Sequence, residues 1–261
     1  MNSLSPRQQA ILNRVVDAYI DNGQPVGSRA ITELYTTLYQ DSYSAATVRH
    51  EMGRLEELGY LTHPHTSAGR IPTDRGYRYY VDHALQQEKL PQDWVQRLER
   101  EQMPSAEADV YFEKVAGVLS RLVEQVCVIL APDRPAPRGR RPVRFRLILQ
   151  GSSFMLEKPE FRDVEKMRRI LKGFEEKAGF VEWLHERSAH SGVSITIGRE
   201  NGPEAFQDCA VVSAPCAIDD QPAGTFAVIG PRRMRYSRMV SLVQYMGRRV
   251  ERALAESAQD F

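Results

Sequence analysis

The stretch Ser44-Ala45-Ala46-Thr47-Val48-Arg49-His50-Glu51-Met52-Gly53-Arg54-Leu55-Glu56-Glu57-Leu58-Gly59-Tyr60-Leu61-Thr62 holds a helix, its stop and the start of a strand. Ser44 is placed to cap the helix. Val48, Met52, Leu55 and Leu58 recur at helical spacing, and Gly59 ends the run. With Val48 turned inward, a rotation of about 100° per residue puts Ala46, Arg49, His50, Gly53 and Arg54 on the outer face. Tyr60-Leu61-Thr62 predicts a short strand, His63 to Arg70 a loop, and Ile71 a return strand.

Upstream, Ser5 and Pro6 open a helix whose apolar residues Ile11, Leu12, Val15, Val16, Tyr19 and Ile20 run to the Asn22-Gly23 stop. Pro25-Val26-Gly27 is a turn, and Ser28 caps a second helix carrying Ile31, Leu34, Tyr35 and Leu38. Downstream, a helix from Thr73 carries Tyr77, Tyr80 and Val81. Three helices, a short strand, a hairpin and a return strand in this order predict a winged helix-turn-helix, whose third helix enters the DNA major groove.

The residue types suit that task. Ala46 allows close approach, Arg49 can pair bidentately with guanine, and the free N–H groups of the helix start can hold a phosphate. Ser44, Thr47, His50 and Arg54 support Arg49 on the helix. In the loop, Gly69 is expected to form a tight turn, while Ser67 and Arg70 at the hairpin tip reach a phosphate or minor groove. Tyr77 and Arg78 are expected to reach the DNA backbone. A solvated helix face is the alternative reading of the same residues. Up to His83 the chain has eight arginines, no lysine and nine acids, so any attraction to DNA must come from a local cluster.

The whole chain is consistent with two domains joined by a helix. Its 261 residues exceed the roughly 150 of a typical single domain. Charged residues are 26% and hydrophobic ones 42%, an ordinary folded composition. The 35 basic and 34 acidic residues nearly cancel, which excludes binding to nucleic acid or membrane by bulk charge alone. The expected divisions are 1–84, a DNA-binding domain; 105–131, a linker or dimerisation helix; and 143–261, a sheet domain. In the helix read from Ser105 to Leu130, the seam Phe112, Val115, Leu119, Leu122 and Val126 can pack on its own domain or on a second copy. From Pro132 to Pro142, four prolines and four arginines mark a linker or exposed loop, which can also add phosphate contacts. Beyond it, Phe145 to Leu149, Val193 to Ile197, Ala210 to Val212 and Gly224 to Ile229 predict strands. Phe161 to Lys177 and Arg238 to Leu254 predict helices, so the class is α+β, with a C-terminal α/β sheet domain.

Other chemistries find little support. Cys127, Cys209 and Cys216 form no CxxC pair and fit a reducing compartment, with Cys209 and Cys216 read as small buried residues. His50, His63, His65 and His83 lack partners at zinc-ligand spacing, so no metal and no cofactor is expected. No Gly-rich phosphate loop, GxSxG elbow or HExxH pair is present, and the chain is not read as an enzyme. No apolar run approaches the roughly 20 residues of a membrane span and no signal segment opens the chain, so a cytoplasmic protein without membrane contact is expected.

Two long strings resemble one family. Glu51-Met52-Gly53-Arg54-Leu55-Glu56-Glu57-Leu58-Gly59-Tyr60-Leu61, followed by His65-Thr66-Ser67-Ala68-Gly69-Arg70-Ile71-Pro72-Thr73-Asp74-Arg75-Gly76-Tyr77-Arg78-Tyr79-Tyr80-Val81-Asp82, resembles the HrcA family of heat-inducible transcription repressors. Gly23-Gln24-Pro25-Val26-Gly27-Ser28, Pro159-Glu160-Phe161, Gln207-Asp208-Cys209 and Gly230-Pro231-Arg232-Arg233-Met234-Arg235-Tyr236 resemble it as well. The resemblance implies a homodimer on an inverted-repeat operator, the CIRCE element, upstream of chaperone operons. It also implies that the GroE chaperonin keeps the repressor competent, that heat stress releases it from DNA, and that the C-terminal domain is GAF-like. Family members carry a dimerisation segment inserted into that domain. Here the segment is expected to be missing between the proline-arginine stretch and Leu147-Ile148-Leu149-Gln150-Gly151, leaving a reduced domain. The dimer would then rest on the Phe112 to Val126 seam or the C-terminal helix. Two alternatives stay open: a winged-helix regulator controlled by a small ligand in the GAF-like domain, and an interaction protein with a vestigial head.

Overall fold

Local chemistry sets the first helix. The Ser5 hydroxyl accepts from the Gln8 amide and the Gln8 side chain answers to the Ser5 amide, a reciprocal cap at the start of α1 (Pro6–Asn22). The Gly23 amide closes the far end on the Tyr19 carbonyl at 2.9 Å. Next come α2 (Ser28–Leu38), α3 (Ala45–Glu57), the two-residue strands β1 (Leu61–Thr62) and β2 (Ile71–Pro72), and α4 (Asp74–His83). Thr73 caps α4, its hydroxyl accepting from the Gly76 amide at 3.1 Å. Ile11, Leu12, Val15, Val16, Ile31, Val48, Leu55 and Leu61 are all buried and form the interior of this part.

This computed structural model describes residues 4–38, 43–65, 68–101, 108–132, 145–187, 192–218 and 221–259. The chain separates into two compact units, Met1–Gln86 and Gln87–Phe261.

The second unit opens with α5 (Gln92–Arg100), a helix the sequence reading passed over, and continues with α6 (Ala108–Val123). The helix expected to reach Leu130 stops at Val123. Glu124 adopts a left-handed conformation with φ of 50°, and the chain then enters β3 (Val126–Pro132). Val126, Val128 and Ile129 are β-branched, and β3 is flanked by strand partners on both sides. Ladder bonds on two edges outweigh continuation of the helix.

Then follow β4 (Phe145–Gln150), α7 (Ser153–Glu157), α8 (Val164–Glu175), α9 (Lys177–Arg187), β5 (Ser194–Ile197), β6 (Cys209–Ile218), β7 (Gln221–Pro231) and α10 (Tyr236–Gln259). The strands form one sheet in the order β4-β3-β7-β6-β5, antiparallel at every step. The unit is therefore α+β, and among the described residues no strands pair in parallel as in an α/β sheet. Period-two alternation sorts the strand residues. Val126, Val128, Leu130, Cys209, Val211, Ala227 and Ile229 share a core with Met167, Ile170, Phe174, Phe180, Trp183 and Leu184 of α8 and α9. The alternate residues Cys127, Ile129, Ala210, Val212, Phe226 and Val228 are buried too, and Gly247 of α10 sits close to Ala214 and the Pro215 carbonyl.

Phe112, Val115 and Leu119 of the expected seam are fully buried within this unit, and Val126 belongs to the sheet. Phe112, Val115, Leu119 and Val126 are intrachain core with no surface left for a second copy, which corrects the expectation of a dimer contact through them, while Leu122 is partly exposed. The Arg-rich loop, 133–144, lies outside the described residues. Cys127 and Cys209 are free and buried, while the side chain of Cys216 lies outside what is described. Among the described residues no helix is long and apolar enough to cross a membrane.

Candidate nucleic-acid interface

The third helix is held by its cap and its inward stripe. Ser44 Oγ accepts from the Thr47 amide at 3.1 Å and lies 3.0 Å from Thr47 Oγ1, so both hydroxyls are engaged in the cap. Val48, Met52 and Leu55 are buried, and α3 packs on α1 and α2. Ala46, Arg49 and His50 stand exposed on the opposite face, with Gly53 partly covered beside them. A Cβ at Gly53 would meet nothing within 4 Å, so the helix surface there is open to close approach.

Most of the unit's arginines are already partnered. Arg7 pairs with Glu51 at 3.7 Å, Arg54 with Glu57 at 3.2 Å and Arg78 with Asp82 at 3.0 Å. Arg75 donates to the Leu58 carbonyl at 2.8 Å and covers the Tyr60 ring, its guanidinium carbon 4.4 Å from the ring centre. The side chains of Arg29, at the start of α2, and Arg49 make no hydrogen bond or ion pair with a described residue. An unpartnered guanidinium keeps all five donors for an incoming anion or base edge. The pairs around it spend theirs on carboxylates.

The hairpin begins at Gly59, whose φ of 78° turns the chain out of α3 in a conformation only glycine adopts without strain. Thr73 Oγ1 donates to the Gly59 carbonyl at 2.7 Å, and Leu61 pairs with Pro72 and Thr62 with Ile71. Gly69 does not serve a tight turn. Its φ is not positive, and a Cβ there would lie 2.5 Å from the Val26 carbonyl carbon, so it permits two backbones to touch. Arg70 is not at the tip either. Its amide and carbonyl each hydrogen-bond Val26 at 2.9 Å, and its side chain turns back to Glu56 of α3. Thr66 and Ser67, the latter an expected phosphate contact, lie outside the described residues.

Tyr77 is corrected more strongly. It is 2% exposed, a core ring on the inner face of α4, and cannot reach a DNA backbone from there. The expected set thus divides: Ala46, Arg49, His50 and Arg54 share one exposed face, Ser44 and Thr47 form its capped end, and Gly69 and Arg70 tie the hairpin to the body. Arg78 lies partly exposed on α4. Glu56 and Arg75 escaped the sequence reading, because only pairing across 14 and 17 residues reveals their work. Among the described residues no group of three or more His, Cys, Asp or Glu is placed to hold a metal.

The family model described as HrcA protein C terminal domain matches residues 138–240. The heat-inducible transcription repressor HrcA of Shouchella clausii (strain KSM-K16) is 29% identical, the match covering 96% of this chain and 98% of the relative. The chain is thus similar to an HrcA repressor along nearly its whole length. The HrcA alignment runs to 343 positions against 261 residues here, so the relative carries segments with no counterpart in this chain. A crystal structure of a hypothetical protein at 2.2 Å resolution shares the fold, with a TM-score of 0.74 and 20% identity over 98% of this chain and 100% of that one.

Proposed function

We propose that the chain is a DNA-binding transcription repressor of heat-shock chaperone operons. In this reading the first unit is a winged helix-turn-helix, with α3 entering the major groove and the β1–β2 hairpin as the wing. Arg49 reads a base, His50 and Ala46 flank it, and Ser44, Thr47 and Arg54 line the approach. The second unit is a reduced GAF-like regulatory domain. An inverted repeat of the CIRCE type presents two half-sites related by a twofold axis, which calls for a homodimer. Repression ends on heat stress, with the GroE chaperonin as the partner that restores competence, and the protein acts in the cytoplasm.

One observation carries the reading: α3 presents an exposed face on which Arg49 engages no described carboxylate, while Arg7, Arg54, Arg70 and Arg78 are paired. The test is a titration of the purified chain against an inverted-repeat duplex and a scrambled duplex of equal length, over a range of salt. Preference for the repeat by about 10³ or more supports the reading. Equal affinity for both duplexes removes it.

A further inference from the structure

Among the described residues, Glu56 is the α3 carboxylate that touches both legs of the hairpin. Its Oε1 is in hydrogen-bond contact with Nδ1 of His63, which follows β1. Its Oε2 lies 2.7 Å from Nε of Arg70, which precedes β2. The Arg70 Nε–H is not aligned on that oxygen as a hydrogen bond, so the contact is coulombic. Both side chains are only about a quarter exposed, 26% for Arg70 and 25% for Glu56. Solvent and salt screen such a pair less than one on the open surface. From the other side, the Arg70 backbone brackets Val26 through two bonds of 2.9 Å, and Gly69 lies against the Val26 carbonyl. The hairpin is thus gripped from α3 and from the segment between α1 and α2.

We propose that Glu56 is a positioning residue that sets the hairpin's orientation relative to α3, with Arg70 as a strut in that clamp. This rests on the reading of α3 and the hairpin as one DNA-binding surface. A free guanidinium that meets a phosphate displaces counterions and steepens the salt dependence of binding. One already neutralised by a carboxylate does not. The strut and the phosphate contact therefore predict different salt slopes for the same substitution, although both predict weaker binding.

The experiment uses the full chain as wild type, Glu56→Gln, Arg70→Gln and the double variant, with affinity for the inverted-repeat duplex measured against NaCl concentration. Amide hydrogen exchange on each protein without DNA is the second readout. Each single variant is expected to weaken binding about tenfold, the usual scale for a charge-assisted contact. The double variant should be no weaker than either single one, and the salt slope should stay at the wild-type value. Without DNA, the amides of Val26 and Arg70 should exchange faster in Glu56→Gln. Arg70→Lys keeps the charge but loses the forked reach; it should fold, keep the slope and bind with intermediate affinity.

A slope reduced by about one per reading head in Arg70→Gln makes Arg70 a phosphate ligand and overturns the proposal. Additive losses, or unchanged or tighter binding by Glu56→Gln, overturn it equally. If the wild-type chain ignores the duplex, the DNA reading fails separately. The exchange data still decide the clamp, and unchanged protection at Arg70 in Glu56→Gln would end it.

Discussion

The Tyr80 hydroxyl donates to Asp17 Oδ1 at 2.7 Å and joins α4 to α1. Burial pushes the Asp17 carboxyl above the ordinary carboxylate range, against the opposing pull of this hydrogen bond and of Arg14. The folded protein therefore holds the Asp17 proton more tightly than the unfolded chain does. That contribution to stability is complete below the unfolded carboxylate value of about 3.9 and is lost as pH rises through the folded one. Asp17→Asn keeps an acceptor for Tyr80 and has no charge to bury. Wild type should lose stability relative to Asp17→Asn as pH rises from about 3.9, in urea denaturation across pH. Parallel curves would show that Asp17 titrates as it does in the unfolded chain. Tyr80→Phe should cost about 1–3 kcal/mol at neutral pH.

Arg49→Ala should leave the melting temperature of the first unit unchanged, because the side chain is exposed and supports no described contact. At the operator it should lose about 1–3 kcal/mol and discriminate less between sequences. Fluorescence anisotropy on matched and scrambled duplexes measures both, and unaltered discrimination would place the base contact elsewhere.

Gly76 lies where α4 crosses the end of β1. A Cβ there would stand 2.2 Å from the Tyr60 carbonyl oxygen, a backbone atom that cannot swing aside. Gly76→Ala should destabilise the first unit by about 1–3 kcal/mol through overpacking, despite the better helix propensity of alanine. Thermal unfolding followed by circular dichroism is the check.

Leu119 is fully buried within the second unit. Leu119→Ala should cost about 2–5 kcal/mol of that unit's stability, and it should leave the native mass measured by light scattering unchanged. A variant that folds normally but falls from dimer to monomer would restore the seam as an interface.

Burial pushes the Cys209 thiol up to about 12 and the Cys127 thiol higher still. At pH 8 neither supplies appreciable thiolate, the reactive form. In a Cys216→Ser background, a thiol-specific reagent should label the native protein slowly and react with two thiols per chain once urea unfolds it. Rapid labelling of the folded protein would contradict their burial.

Much of the first unit was legible because its instructions are local. Ser5, Ser44 and Thr73 cap helices within three residues of themselves, Gly23 and Gly59 end them, and the stripe through Val48, Met52 and Leu55 orients α3 by rotation alone. The exposed face of α3 follows from the same periodicity. The hairpin is less legible. Its strands are two residues long, so neither propensity nor alternation says which side chains turn outward. In the second unit, Leu122 and Val126 fit a helical stripe as well as a strand, and only pairing with β4 and β7 makes Val126 a strand residue.

By itself the sequence determined the order of helices and strands in the first unit and the residues on the outer face of α3. Caps and periodicity act across a few residues and are written in neighbouring positions. Only the tertiary structure decided which arginines remain available, that Arg70 turns back to Glu56, and that Tyr77 lies inside. Those outcomes depend on contacts between segments far apart in the chain, where one carboxylate or one backbone carbonyl determines what a side chain is free to do.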